Sequence, residues 1–145
     1  MTIRDFSSRD RNDYISMSLA MYAGDATLFP MNSDKLNATF DTVIGESPFT
    51  RGLILEQDGK VAGYALLSFT WSCEAGGMVV WLEEVYIKED YRGCGLGSEF
   101  MEWLISEYGN DCARLRLEVC SKNKRVIKLY EKYGFQIVDY IQMMK

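Results

Sequence analysis

The spacing of apolar residues divides the first third of the chain into a strand and two helices. Residues 2–6 alternate weakly between apolar and polar side chains, which predicts a strand. Apolar residues then recur at helical spacing in two stretches, one running to about Ala23 and one ending before Gly45. The candidate N-caps are Ser8 or Asp10 for the first helix and Asn32 or Ser33 for the second.

Strands dominate the middle of the chain, and strands and helices alternate after it. Two apolar runs flank Asp58-Gly59, a pair typical of a two-residue hairpin because both turn positions need a positive φ. The predicted ranges are 51–57 and 60–71 for the hairpin, 78–87 and 113–119 for two further strands, 95–108 and 123–133 for two helices, and 135–144 for a final strand or strand pair. This order predicts one α+β domain with a mixed sheet over residues 1–145.

Composition narrows the class of protein. Of 145 residues, 48% are hydrophobic and 26% are charged, which is typical of a globular domain. No apolar run approaches the ~20 residues that span a bilayer, and residues 1–6 lack the apolar stretch of a signal peptide. We therefore expect a cytoplasmic protein that does not enter the membrane. The net charge of −5 argues against nucleic acid as a partner.

The chain contains no histidine. This excludes Ser-His-Asp and Cys-His catalytic sites as well as metal sites built on histidine. The four cysteines form no closely spaced pair, so we expect reduced thiols and no bound metal. Acid–base chemistry must then use Glu, Asp, Tyr, Cys, Lys or water.

The most informative motif is the turn Tyr91–Ser98, YRGCGLGS, between a predicted strand and a predicted helix. Backbone N–H groups at a helix start lack internal partners, and the helix dipole adds positive potential there. Glycines let an anion approach such a backbone closely, so the turn predicts a phosphate site. No lysine follows as in a P-loop, and the glycine spacing does not fit a dinucleotide-binding turn. The alternative is a glycine-rich loop that only turns the chain.

With its flanking residues, this turn resembles the acetyl-CoA signature Arg/Gln-x-x-Gly-x-Gly/Ala of the GNAT N-acetyltransferase superfamily. The preceding strand, 81–87, resembles that family's central strand. Residues 123–135 resemble its second signature, Asn-x-x-Ala-x-x-Leu-Tyr-x-x-x-Gly-Phe, with Val126 in place of Ala. Within the family, the stretches 82–84 and 90–93 resemble the diamine (polyamine) acetyltransferases.

The resemblance implies a fold and an activity. The expected fold is α+β, with a mixed, mostly antiparallel central sheet flanked by four helices. The expected activity is transfer of the acetyl group of acetyl-CoA to a primary amine, on a small molecule, by direct attack of the amine. Two alternatives stay open, a non-catalytic CoA-binding sensor or interaction module and a peptide or protein N-acetyltransferase. A homodimer is compatible with the resemblance.

The resemblance also implies where acetyl-CoA binds. Backbone amides of the turn would hold the pyrophosphate, and the edge of the central strand would pair with the pantetheine arm. Asn123 would lie near the cofactor, and it is also a good N-cap for the helix that follows, so the two roles are compatible. The implied cofactor-binding residues are Val85, Tyr86, Ile87, Arg92, Gly93, Cys94, Gly95, Leu96, Gly97, Ser98 and Asn123.

Acetyl transfer needs a neutral amine, and alkylamines are protonated at neutral pH, so a base is required. Glu83 and Glu84 are the candidates, because carboxylates in an otherwise apolar strand are unusual. Neighbouring strand residues face opposite sides, so we expect the two to differ in role, and the resemblance places Glu83 at the active site. The alternative is that they pair with surface cations. A covalent route through Cys94 would lack a base.

The CoA thiolate that leaves during acetyl transfer departs more easily when it is protonated, and the resemblance implies a residue that donates this proton. Tyr130 matches the family's tyrosine acid by position, with a core aromatic as the alternative. The resemblance implies an acceptor site built from the first two helices, the loop between them and the turn after the third strand. Candidate acids and aromatics there are Asp25, Asp34, Glu46, Glu74, Tyr22, Phe29, Phe49 and Trp71, a set that suits a cationic amine.

Overall fold

Five strands form a single sheet in the order β1-β2-β3-β4-β5 in a computed structural model that describes residues 1–24, 27 and 29–145. The strands are β1 (Thr2–Asp5), β2 (Thr50–Gln57), β3 (Lys60–Ser72), β4 (Gly77–Ile87) and β5 (Arg114–Leu117). The pairs β1–β2, β2–β3 and β3–β4 are antiparallel, and β5 runs parallel to β4. The helices are α1 (Arg11–Tyr22), α2 (Ser33–Ile44), α3 (Leu96–Tyr108) and α4 (Lys124–Lys132). The expected fold, a mostly antiparallel mixed sheet with four helices, is confirmed.

Local sequence signals set several of these boundaries. Asp58 and Gly59 have φ angles of 52° and 73°, so the predicted hairpin turn between β2 and β3 is confirmed. The Asn32 side chain accepts a hydrogen bond from the Lys35 amide at 3.0 Å, which identifies Asn32 as the N-cap of α2. Asp10 stands at the N-cap of α1, and its buried carboxylate is held by the Arg4 guanidinium.

Each face of the sheet has its own apolar core. Helices α1 and α2 cover one face, and α3 covers the other together with α4. The first core contains Tyr14, Met17, Leu36, Phe40, Ile54, Tyr64 and Leu66. The second contains Leu53, Leu55, Ala65, Leu67, Val80, Leu82, Phe100, Met101, Leu104 and Tyr130. Strand β2 contributes to both cores, which explains its continuous apolar run at 53–55.

The parallel pair β4–β5 is short. Residues 79–82 of β4 pair with residues 114–117 of β5, and β4 then continues to Ile87 without β5 beside it. The two strands therefore leave an opening along one edge of β4. This opening positions the candidate site.

The prediction of a final strand or strand pair over residues 135–144 is wrong. Residues 135–145 have no regular secondary structure, and most of their apolar side chains are exposed, Ile141 by 91% and Met143 by 95%. Side chains of Tyr140 and Gln142 reach Glu74 and Glu118, but these contacts supply no backbone ladder of the kind that makes a strand. Among the described helices, none combines the length and apolar character that crossing a membrane requires.

Candidate active site

A cavity of about 1170 Å³ lies between β4, the N-terminal ends of α3 and α4, and the end of α1. It is large enough for an extended ligand. Its walls bring together nearly all the predicted site residues, which are Glu83, Glu84, Val85, Tyr86, Ile87, Arg92, Gly93, Gly95, Leu96, Gly97, Ser98, Asn123 and Tyr130. Cys94 is not part of the lining. Its exposed thiol instead lies 3.8 Å from the Arg92 carbonyl oxygen.

The glycine turn forms one end of the cavity. Gly93 and Gly95 have φ angles of 79° and 89°, a region that side chains disfavour, and Gly95 is the N-cap of α3. The Glu99 amide donates to the Gly95 carbonyl at 3.0 Å, as expected for the first bond of the helix. The three preceding amides, 96–98, therefore have no acceptor within the helix. Residues 96–98 line the cavity at the positive end of the helix dipole, which suits a phosphate.

The free edge of β4 forms the long wall. Backbone groups of a strand point alternately to its two edges, and β3 pairs with only one edge of β4. Beyond Leu82 the other edge faces the cavity. Arg92 closes the end of this edge, because its Nε donates to the Ile87 carbonyl at 2.9 Å and its guanidinium lies 5.4 Å from the Tyr86 ring centre.

A β-bulge places the two glutamates. Leu66 pairs with Glu84, but Leu67 pairs with Leu82, so Glu83 is an extra residue in β4. The hydroxyl of Ser68, which lies on the same face of β3 as Leu66, donates to the Glu83 carboxylate. Both glutamates therefore lie on the face covered by α1 and α2. The expectation that they face opposite sides is wrong, because the bulge interrupts the alternation.

The environments of the two glutamates differ. Glu83 is exposed. Glu84 is largely buried, and its two oxygens accept hydrogen bonds from the Tyr22 hydroxyl at 2.6 Å and the Tyr64 hydroxyl at 2.7 Å. Burial raises the pKa of Glu84 above its ordinary value, the charge of Glu83 adds to this rise, and the two phenol donors oppose it. Because its pKa is raised, Glu84 takes up a proton at a higher pH than an ordinary carboxyl group does.

Tyr130 and Asn123 come from α4. Tyr130 is 8% exposed and belongs to the core, and it also lines the cavity. Burial raises the pKa of its phenol to about 12, which keeps the hydroxyl protonated at neutral pH. Asn123 accepts from the Val126 amide at 3.4 Å as the N-cap of α4 and lines the cavity as well.

Several cavity residues escaped sequence reasoning. Lys122, in the turn before α4, lines the wall together with Arg125 and Lys128, whose spacing of three residues puts them on one side of the helix. That spacing is visible in the sequence. The contact of Tyr22 and Tyr64 with Glu84 is not, because it joins positions 62 and 20 residues apart.

Most of the predicted acceptor residues lie elsewhere. Of that set, only Tyr22 lines the cavity, and Asp25 lies outside the described residues. Glu46 borders a separate, smaller cavity, Glu74 bonds Arg114, and Asp34 lies exposed in the first turn of α2. Phe29, Phe49 and Trp71 are each more than half exposed. Within the described ranges, no three Cys, Asp or Glu side chains come close enough to hold a metal ion.

Comparison with known proteins gives a family match. The sequence model of the acetyltransferase (GNAT) family matches residues 21–135 of this chain. Thialysine N-epsilon-acetyltransferase of Bos taurus is 37% identical over 102 residues, which are 63% of this chain and 59% of that protein. Spermine/spermidine N(1)-acetyltransferase of Bacillus subtilis (strain 168) is 37% identical over 59 residues, 39% of each chain. The matches thus span less than two thirds of these relatives' length.

Solved structures agree on the fold. A possible acetyltransferase from Clostridium difficile 630 superimposes with a TM-score of 0.83, at 16% sequence identity, over 99% of this chain and 95% of that one. At this identity the likeness concerns the backbone architecture alone. It matches the strand and helix arrangement described above.

The raised pKa of Glu84 predicts a pH-dependent stability difference. Above the ordinary carboxyl pKa of 4.5, the folded protein retains a proton that the unfolded chain releases, so wild-type stability falls as pH rises towards the folded pKa. Glu84→Gln removes this loss. The unfolding free energy of the variant, relative to wild type, should rise across that window by about 1.4 kcal/mol for each pH unit between the two pKa values.

Urea denaturation in a series of buffers measures the difference. Glu131→Gln, an exposed position on α4, is the control and should give a difference that does not change with pH. A Glu84→Gln difference that is equally flat would show that burial does not act on this carboxyl group.

Proposed function

This chain belongs to the acetyltransferase (GNAT) family, and on that premise we propose that it transfers the acetyl group of acetyl-CoA to a primary amine of a small molecule. The observation that carries the proposal is one continuous cavity, with the start of helix α3 at one end and the partly buried carboxyl group of Glu84 on its wall. The curated relatives described above are named as acetyltransferases of thialysine and of spermine and spermidine, which are small amines.

The residues present fit acetyl-CoA. The free amides of Leu96, Gly97 and Ser98 would hold the pyrophosphate, and the basic side chains of Lys122, Arg125 and Lys128 would add attraction for phosphate. The open edge of β4 over 83–87 offers backbone groups to the amides of the pantetheine arm. When bound there, acetyl-CoA supplies an acetyl thioester as the electrophile.

Glu84 would act as the base. An alkylammonium ion holds its proton at neutral pH, and a carboxylate with a raised pKa accepts a proton more readily than an ordinary one. Loss of that proton frees the nitrogen lone pair, which forms the N–C bond to the acetyl group while the C–S bond breaks. The nitrogen then releases its second proton to solvent as the neutral amide forms. Exposed Glu83 lies beside Glu84 and would attract the ammonium ion.

Tyr130 would act as the acid. Tyr130 lines the cavity, and its raised pKa keeps its hydroxyl protonated at neutral pH, so a proton is present when the C–S bond breaks. A thiolate leaves more easily when it receives a proton as the C–S bond breaks. The proton from Tyr130 would therefore end on the sulfur, and the phenol would recover one from solvent.

The first kinetic prediction concerns the base. Glu84→Gln should lower kcat/KM for the amine by roughly 10²–10⁴-fold, the usual contribution of a general base. Glu83→Gln should act mainly by raising KM for the amine, because it removes a charge that attracts the ammonium ion. Initial rates of CoA release with thialysine and spermidine as acceptors measure both effects.

The same assay decides between the alternatives. A larger kcat loss in Glu83→Gln than in Glu84→Gln would make Glu83 the base. Tight CoA binding by the wild type, without CoA release for any small amine or peptide N-terminus, would point to a CoA-binding module instead. Release with peptides alone would shift the acceptor to the peptide class.

A second prediction concerns the phosphate end. A Cβ at Gly97 would contact Leu129 and Ile87 at 3.6 and 3.8 Å, which is ordinary van der Waals contact, so the position has room for a Cβ atom. Gly97→Asp should weaken CoA binding at least tenfold relative to Gly97→Asn, about 1.4 kcal/mol, because only Asp adds a charge beside the pyrophosphate.

Isothermal titration with CoA measures the two dissociation constants. Raising the salt concentration should narrow the difference between them, since salt screens exposed charges. Equal affinities of the two variants at low salt would place the pyrophosphate away from this turn.

A third prediction concerns the acid. Tyr130→Phe removes one hydroxyl and little packing, and it should lower kcat at least tenfold, because a general acid is lost, with little change in KM for acetyl-CoA. Tyr108→Phe, on α3 near Arg51 and outside the cavity lining, is the matched control. Steady-state kinetics compare the two, and a Tyr130→Phe enzyme within twofold of wild type would leave this residue only a packing role.

A further inference from the structure

Glu84 accepts one phenol on each of its two oxygens. The Tyr22 hydroxyl donates to Oε1 at 2.6 Å, and the Tyr64 hydroxyl donates to Oε2 at 2.7 Å. The donors come from different elements, the last turn of α1 and the middle of β3. A carboxylate held at both oxygens has its plane and its direction fixed.

The two groups that donate to Glu84 are neutral phenols, and a neutral donor affects the basicity of a carboxylate differently from a cation. In the described part of the chain, neither Lys nor Arg forms an ion pair with Glu84. A cationic partner in a buried place would hold the carboxylate ionised so strongly that it would be a poor base. Phenols stabilise the anion more weakly, so they offset part of the penalty of burial and leave a group that still takes up protons.

We propose that Tyr22 and Tyr64 are positioning residues for Glu84, Tyr64 from the protein interior and Tyr22 from the cavity side. This inference rests on the proposed function, in which Glu84 is the base. Their two hydrogen bonds keep the carboxylate ionised and directed at the incoming amine. They thereby set the pH above which the enzyme is active.

The two phenols differ in access to the cavity. Tyr64 is fully buried, is not part of the cavity lining, and packs edge-on against Tyr14 with ring centres 5.2 Å apart. Tyr22 is half-buried and lines the cavity. The amine therefore approaches on the side of Tyr22, so that loss of the Tyr22 hydroxyl also changes a surface that the acceptor meets.

The groups around Glu84 act in opposite directions. From β4 the charge of Glu83 raises its pKa, and the hydroxyls of Tyr22 and Tyr64 lower it. Burial raises the pKa of the Tyr14 phenol on α1, and the charge of Glu84 adds to that rise. Other titratable side chains in the described cavity lining include Tyr86 on β4 and Tyr130 on α4.

The experiment titrates Glu84 directly. The full-length protein is labelled with ¹³C at glutamate side-chain carboxyls, and the Glu84 resonance is assigned by its loss in Glu84→Gln. Tyr64→Phe and Tyr22→Phe should each move the titration midpoint to higher pH by about one unit, because each removes a hydrogen bond to a charged acceptor. Tyr14→Phe is the control, since Tyr14 is as fully buried as Tyr64 but the hydroxyls that donate to Glu84 belong to Tyr22 and Tyr64.

Kinetics give a second measurement on the same variants. The acidic limb of kcat/KM should move to higher pH in Tyr64→Phe and Tyr22→Phe by the same amount as the midpoint. KM for the amine at the plateau pH should rise only in Tyr22→Phe. A role limited to packing would lower activity at every pH and leave the limb in place.

The outcomes separate this inference from the proposed function. Midpoints that move no further than in Tyr14→Phe overturn the inference, even if the wild type acetylates amines. A wild type that transfers no acetyl group overturns the proposed function, and the inference as an enzymatic role falls with it, although the NMR titration still reports on the carboxyl group. Should Tyr64→Phe fail to fold, Tyr22→Phe at the half-buried end of α1 carries the test alone.

Discussion

The bulge at Glu83 is the constraint on which the rest of the site depends. One additional residue in β4 turns both glutamates to the face of the sheet that α1 and α2 cover. It lies just beyond Leu82, where pairing between β4 and β5 ends. The same stretch of strand therefore presents two carboxyl groups on one face and a free backbone edge to the cavity. A regular strand would leave Glu83 and Glu84 on opposite faces.

The two ends of the cavity differ in the charge of the ligand group that they suit. The glycine turn and the start of α4 contribute free amides and basic side chains, which suit an anion. The bulge contributes carboxyl groups, which suit a cation. A net charge of −5 reveals neither end, because local geometry rather than total charge decides what binds where. This division is what the proposed transfer from an anionic donor to a cationic acceptor requires.

Glu84 also shows how a functional group can oppose stability. A carboxyl group with a raised pKa favours the folded state less when it is ionised, and ionisation is what the proposed role of a base requires. The surrounding phenols reduce that penalty without removing it. The aromatic core formed by Tyr14, Phe40 and Tyr64 lies directly behind this group and holds β3 against α1 and α2.

Features that depend on neighbouring residues could be predicted from the sequence. The turn at Asp58-Gly59 and the helix start at Gly95 follow from dihedral preferences of the residues themselves. The fold and the cavity-lining residues of the glycine turn followed from two short signatures whose spacing is fixed along the chain. The absence of histidine is a property of composition alone, and it restricts acid–base chemistry to other side chains or water.

Features that depend on the packing of distant segments had to come from the tertiary structure. The bulge is a property of two strands together, so alternation within β4 alone gave the wrong facing for Glu84. Its contact with Tyr22 bridges 62 positions and has no local signal. The apolar residues after Phe135 have the composition of a strand, but without a backbone ladder to a neighbour they remain irregular. Dihedral preferences belong to single residues, whereas register, facing and burial exist only once a partner segment is in place.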